Sequence, residues 1–306
     1  MNQARTVALL TPSHRKDIDR FALLCDSIDR HVKGHETHYV MVADDEVPLF
    51  SRFNSERRIV RPSSEFLPNW LKLVPPIFLR QGRRVWWSFR SGPVHGWHMQ
   101  QLLKFAAVSS FPEERYCIID SDNVFFRPFD ARAHAGGERT PLYVERGAIT
   151  ADAPLHAVWT RNCGRLLGQA ETVFPADDYI GNVIVWDKQC VQDLTRTITA
   201  VAKKDWKEAL CNTRALSEYL LYGHFVQNSQ THFRAHEIVT DSLACAYWDQ
   251  APLDAAAVVS MVEQAPTSKV ALCVSSFSNT PVFVIREAVG LSSVDAKESS
   301  RAVLAA

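Results

Sequence analysis

Dense apolar runs alternate along this chain with stretches in which apolar residues are spaced. The run in "RTVALLTPS" predicts a buried strand ending in a turn at Thr11, Pro12 and Ser13. Over residues 17–31 apolar side chains recur at Ile18, Phe21, Leu24, Cys25 and Ile28, which is helical spacing. "HYVMVADDE" predicts a second strand, ending in acids. Strand, helix and strand in that order suggest a parallel pair joined by a crossover. "GWHMQQLLKFAAVSS" predicts a helix with Met99, Leu102, Leu103, Ala106 and Ala107 inward, and "YCIID" a further strand.

Residues 55–95 mix prolines, arginines and tryptophans without a clear period. They are expected to form a long excursion over the sheet rim, either a functional lid or a packed irregular insertion. Beyond Asp130, "ARAHAGGERT" suggests a surface loop and "PLYVE" a strand. Residues 155–169 suggest a helix, "NVIVWD" a strand, residues 188–207 and 213–225 two more helices, and "KVALCV" a late strand. The expected architecture is α/β: a mostly parallel central sheet flanked by helices, Rossmann-like, with a more irregular second half. One domain is expected over 1–286, with halves 1–130 and 131–286, followed by a loosely ordered tail over 287–306.

Composition narrows the function classes. With 306 residues, 46% of them hydrophobic and 22% charged, the chain is of globular type. Its 34 basic and 34 acidic residues cancel, which argues against nucleic-acid binding through a broad basic face. The seven cysteines form no CxxC pair, so neither a zinc ribbon nor a secreted disulfide framework is indicated. The apolar run at the N-terminus is too short for a signal peptide, and no stretch reaches the ~18 apolar residues of a transmembrane span. A cytoplasmic protein is expected, with peripheral membrane contact allowed.

Candidate chemistry centres on "YCIIDSDNVFFRPFD". Strand alternation predicts that Asp120 and Asp122 project to one side and Ser121 to the other. At the carboxyl end of a parallel strand they would face the crevice where α/β proteins bind ligands. Paired hard oxygens there suit Mg²⁺ or Mn²⁺, which binds phosphate oxygens in turn. Three possibilities follow. In the first, the acids hold a solvated turn, capping a helix or meeting arginines such as Arg127. "CIIDSDNV" also resembles the opening signature of haloacid-dehalogenase phosphatases, with Asp120 as nucleophile and Asp122 as general acid/base. Against that stand the 119 residues upstream and the lack of a convincing downstream lysine and acidic pair. The third possibility is a metal-dependent sugar-nucleotide site. It accounts for the nucleotide-type unit upstream, and it is favoured.

"LLTPSHRKDIDRFALLCDSI", "GWHMQQLLKFAAV" with "YCIIDSDNVFFRPF", "DDYIGNVIVWDKQCVQDL" and "LSEYLLYGHFV" occur in an order that resembles GT-A-fold glycosyltransferases, in particular the bacterial DUF6492 group. The resemblance covers roughly residues 5–250. It implies a turn at Thr11, Pro12 and Ser13 that holds the nucleoside, expected to be uridine, with His14 and Arg15 either near phosphate or plain surface residues. It places Asp44 or Asp45 beside the base or ribose, although ordinary turn acids are an equal alternative. Asp120 would contact ribose and metal with Ser121 beside it, and Asp122 would be the main metal ligand. Trp97, Gln101 and Lys104 would face the donor, the tryptophan stacking on a ring and the lysine neutralising diphosphate. The alternative for Lys104 is a solvated helix residue. Asp177, Asp178, Gly181 and Asn182 would line the sugar and acceptor pocket.

Glu218 opens an apolar helix, with Ser217 as a possible cap. An inverting enzyme would need a base, Glu218 first and Asp178 second, whereas a retaining one would not. Cys245 stands where a third, histidine metal ligand is expected, with His232 and His236 as alternatives. The implied activity is transfer of a sugar from a UDP-linked donor to a glycan or lipid-linked acceptor. A catalytically silent sugar-nucleotide-binding protein is the remaining alternative.

Overall fold

The computed structural model describes residues 4–75 and 84–291. The chain divides into two compact units. The larger comprises the described residues of Met1–Arg15, Gly34–Asp120 and Asp130–Ser242; the smaller comprises those of Lys16–Lys33, Ser121–Phe129 and Leu243–Ala306.

The larger unit is built on a five-stranded sheet. Its strands, in spatial order, are Ile184–Asp187, Arg115–Ile118, Val7–Pro12, His38–Val42 and Arg58–Pro62. The last four run parallel, and Ile184–Asp187 lies antiparallel against Arg115–Ile118. Val7–Pro12 and His38–Val42 are buried at every position, as strands covered on both faces must be. The helix Gly96–Ser110 leads into the Arg115–Ile118 strand. Behind the sheet, Trp186 is fully buried and stacked on Phe105 (4.8 Å between ring centres) and Tyr222 (5.4 Å), tying two helices to the antiparallel strand.

The helix Glu218–Asn228 comes close to Tyr179 because residue 223 is glycine. A Cβ there would sit 2.1 Å from the Tyr179 ring. Arg115, also buried, donates to the carbonyls of Ala135, Gly137, Glu138 and Arg139 at 2.5–3.2 Å.

The smaller unit has its own three-stranded sheet of Ala244–Tyr247, Ala271–Val274 and Asn123–Phe125, with the helices Ile18–His31, Ala255–Glu263 and Val282–Ala288. Leu23, Val124, Val258, Leu272 and Ile285 form its core. Buried Arg20 satisfies the carbonyls of Val274 (2.7 Å) and Thr280 (3.0 Å).

Several elements differ from expectation. The stretch over 55–95 contributes Arg58–Pro62 to the central sheet and a separate antiparallel sheet of Lys72–Leu73, Val85–Ser88 and Ser91–His95. These strands have two to five residues each, and Arg58–Pro62 and Ser91–His95 carry a proline, so they are too short and interrupted to show a period; residues 76–83 lie outside the described residues. "ARAHAGGERT" contains the helix Ala131–Ala135, capped by the Asp130 side chain accepting from the Ala133 N–H at 2.9 Å.

The helix expected over 188–207 stops at Ala202, where Lys203 turns left-handed (φ 56°), and Asp205 caps a new helix, Trp206–Cys211. The helix expected from residue 213 begins at Glu218, and Ser217 does not cap it through its side chain. Within the expected tail, the chain stays helical to Ala288 and buries Val289 and Leu291; residues 292–306 lie outside the described residues. Among the described residues no helix is long and apolar enough to cross a membrane.

Candidate functional site

Asp120 lies two residues past the end of the Arg115–Ile118 strand, at the carboxyl edge of the parallel part of the central sheet. The strand stops at Ile118 and residues 121–122 form a turn, so strand alternation does not orient the two aspartates as the sequence suggested. Asp120 closes one segment of the larger unit, whereas Ser121 and Asp122 belong to the smaller.

Three residues from distant parts of the chain gather at Asp120. The Lys104 Nζ lies 2.8 Å from Asp120 Oδ1 and 2.7 Å from Glu218 Oε1, and it donates to the Tyr219 hydroxyl at 3.1 Å. The Tyr219 hydroxyl in turn donates to Asp120 Oδ2 at 3.2 Å. Lys104 and Glu218 side chains are each 4% exposed, whereas that of Asp120 is 37% exposed. The cluster is therefore a buried ammonium that holds one buried carboxylate behind it and presents a second to solvent.

Local sequence explains this placement. In the Gly96–Ser110 helix His98, Gln101 and Lys104 are buried along with the apolar residues, so the helix is enclosed on more than one face. Polar groups on it must then find partners. His98 finds the Leu210 carbonyl at 2.9 Å and Lys104 finds its two carboxylates. Lys104 is thus not a solvated helix residue. Neither amide atom of Gln101 has a partner among the described residues.

Burial alone would push the Lys104 ammonium down; Asp120 and Glu218 outweigh it and hold the group well above the usual lysine range. Burial pushes the Glu218 carboxyl up, and the ammonium only partly reverses this. The directions differ because Lys104 answers to two carboxylates, while Glu218 shares one ammonium with Asp120. The Tyr219 hydroxyl is raised well above its usual value by burial and then by Asp120. At neutral pH the cluster keeps its lysine charged and its tyrosine protonated.

Other expected residues are employed within the fold. Thr11 is buried inside its strand, not in a turn, and its hydroxyl lies 2.9 Å from His38 Nε2. Pro12 ends that strand, Ser13 is buried and donates its N–H to the Met41 carbonyl, and Arg15 is exposed at the start of a short 3₁₀ turn. The Asp44 carboxylate accepts from the Ser64 N–H (3.0 Å) and Ser63 hydroxyl (3.3 Å), and Asp45 pairs with Arg84 at 2.6 Å. Both act as acids that hold loops together. Arg127 donates to the carbonyls of Ala265, Pro266 and Lys269, which accounts for that arginine without the aspartates.

Asp177 pairs with Arg146 and accepts from the Gly147 N–H. Asp178, largely buried, accepts from the Ile180 N–H at 2.8 Å and faces His156 at 3.4 Å. Burial raises its pKa, against the backbone N–H and His156, which lower it. Gly181 packs against Tyr143 and Ile184 and Asn182 is buried, so the glycine answers to side-chain packing.

No group of three His, Cys, Asp or Glu positioned for a metal occurs among the described residues. His232 pairs with Asp193 (3.0 Å) and His236 with the Tyr222 hydroxyl (2.8 Å), both structural roles. Cys245 lies on Ala244–Tyr247, two strands away from Asn123–Phe125. That is about 10 Å between backbones. Sequence reasoning missed His156 and Trp159, which stack at 4.9 Å beside Trp97. Their i, i+3 spacing was the available signal.

The model of the family described as "Family of unknown function (DUF6492)" matches residues 5–292. No curated protein matches the chain.

Proposed function

Since the chain belongs to the DUF6492 family, we propose from the geometry that it is a GT-A-fold glycosyltransferase moving a sugar from a nucleotide-linked donor, UDP-linked in this reading, to a glycan or lipid-linked acceptor. The supporting observation is the Lys104–Asp120–Glu218–Tyr219 cluster at the carboxyl edge of a mostly parallel sheet. Ligands of open α/β sheets bind at that edge. The cluster fixes a partly exposed carboxylate on a buried positive charge, and that carboxylate suits a ribose hydroxyl.

The donor set fits Mn²⁺ or Mg²⁺ in one form only. With no three protein ligands converging among the described residues, the cation would be held by Asp122 together with diphosphate oxygens and water. When bound, it neutralises charge on the leaving diphosphate. Lys104 orients Asp120 through the 2.8 Å contact with its Oδ1. Glu218, enclosed behind the ammonium, serves to fix Lys104, which leaves Asp178 as the better candidate to accept a proton from an acceptor hydroxyl. Its raised pKa suits a general base.

A phosphatase using Asp120 as nucleophile is less well supported. One oxygen of that carboxylate faces Lys104 and the other accepts from Tyr219.

The test is a thermal-shift screen of nucleoside diphosphates and sugar nucleotides with and without Mn²⁺. A UDP-sugar should stabilise the protein only with the metal, and Asp122→Ala should abolish the effect. Absence of stabilisation by any nucleotide with metal present refutes the proposal. An acid-labile phosphoaspartate at Asp120 would establish the phosphatase instead.

A further inference from the structure

Within the larger unit, two helices and an antiparallel strand pair assemble a second constellation. Trp97, in the first turn of Gly96–Ser110, is half-exposed. Its ring centre lies 5.3 Å from that of Trp159, on the helix Pro154–Leu166, with the planes 36° apart. His156, one turn earlier on the same helix, stacks on Trp159 at 4.9 Å and 23°. The His156 Nδ1 then lies 3.4 Å from Asp178 Oδ2, on the strand Ala176–Asp178 that pairs with Glu145–Ile149. The result is a continuous tier, indole to indole to imidazole, with a carboxylate at its edge.

We infer that this tier is a binding subsite for a neutral saccharide. A pyranose has C–H groups on one face and hydroxyls around its rim. The electron-rich face of an exposed indole attracts the polarised C–H face. A carboxylate at the edge accepts hydroxyl protons in charge-assisted bonds, which are stronger than neutral ones. Trp97 at 50% exposure and the His156 side chain at 40% leave the tier open to solvent. Asp178 is held in place by the Ile180 N–H, so one of its oxygens is preorganised.

Residues 97, 101 and 104 share one side of their helix. Trp97 therefore lies about 10 Å along the axis from Lys104. Gln101 lies between them, and its buried amide lacks any partner among the described residues. Leaving such an amide unpaired costs about 1–3 kcal/mol, and a ligand hydroxyl or a bridging water would remove that cost. Placing this subsite on the acceptor side rests on the glycosyltransferase proposal. Saccharide binding as such does not.

The experiment is saturation-transfer NMR on the full chain with cellotriose, maltotriose and triacetylchitotriose, each with and without UDP and Mn²⁺. At least one trisaccharide should receive saturation on its ring protons at about millimolar affinity. Trp97→Ala should weaken it at least about tenfold, equivalent to ~1.4 kcal/mol, and Trp97→Phe, which keeps a ring, by less. Asp178→Asn should weaken binding while circular dichroism shows the fold intact. Failure of all three sugars to bind overturns the inference, as does binding indifferent to both positions or displacement of the sugar by UDP alone. If sugars fail while nucleotide with Mn²⁺ stabilises the protein, only this inference falls. If sugars bind and no nucleotide does, the transferase proposal falls and the subsite stands.

Discussion

Replacing Lys104 with methionine keeps most of the side-chain volume and removes the charge. It leaves Glu218 buried beside the carboxylate of Asp120 with no ammonium between them. Breaking a buried pair by deleting one partner costs about 3–5 kcal/mol, because the survivor is an uncompensated buried charge. The Asp120 leg adds little, since that carboxylate is 37% exposed and solvent screens it. The Glu218 leg dominates.

For a unit of this size the loss corresponds to a fall in melting temperature of about 6–20 °C, at roughly 2–4 °C per kcal/mol. The effect also depends on pH. The Glu218 carboxyl is raised by burial in the native protein, and without the ammonium it rises further. Such a group costs stability as pH climbs above its unfolded value of about 4.3. Lys104, held above its usual range, contributes stability below its unfolded pKa of about 10.4, and this is lost only as pH rises through the folded value. The difference between wild type and Lys104→Met should therefore be large at neutral pH and shrink near pH 4. Adding Glu218→Leu to the variant should recover part of the loss. Urea unfolding followed by circular dichroism measures all three proteins. A loss under about 1 kcal/mol, unchanged between pH 4 and 7.5 and not relieved by the second substitution, would refute the buried ion pair.

Two further predictions follow from packing. Gly223→Ala gains about 1 kcal/mol of helix propensity, but the new methyl would meet the Tyr179 ring 2.1 Å away. Overpacking of that kind costs about 1–3 kcal/mol or more. Net destabilisation in urea is expected, and a more stable variant would show that the helix and Tyr179 are not in contact. Among the described residues none of the seven cysteines is in a disulfide, and only Cys245 is partly exposed; burial pushes the thiols of Cys117, Cys163 and Cys211 up to about 12. A thiol reagent should modify Cys245 first in the native protein and the others only on unfolding, as peptide mapping would show; early labelling of Cys117 would contradict the packing.

The central strands were legible in the sequence as unbroken apolar runs, and the long helices as apolar residues recurring every three or four positions. Val7–Pro12, His38–Val42, Ile18–His31 and Gly96–Ser110 announce themselves in that way. The short strands over 58–95 did not, since two to five residues hold no period and their pairing comes from neighbours elsewhere in the chain.

For the candidate site, the sequence identified Lys104, Asp120 and Glu218 separately, through a lysine on a helix, a DxD after a strand and a carboxylate opening an apolar helix. It left open whether the lysine was solvated. Their meeting is a property of the tertiary structure. Lys104 and Glu218 are 114 residues apart in sequence, yet the Lys104 Nζ lies 2.7 Å from Glu218 Oε1. The same holds for Trp97 and Trp159. Local physics selects the elements because it acts over a few residues. Burial and charge pairing act only once the whole unit has closed, and they convert a surface lysine and two scattered acids into one site.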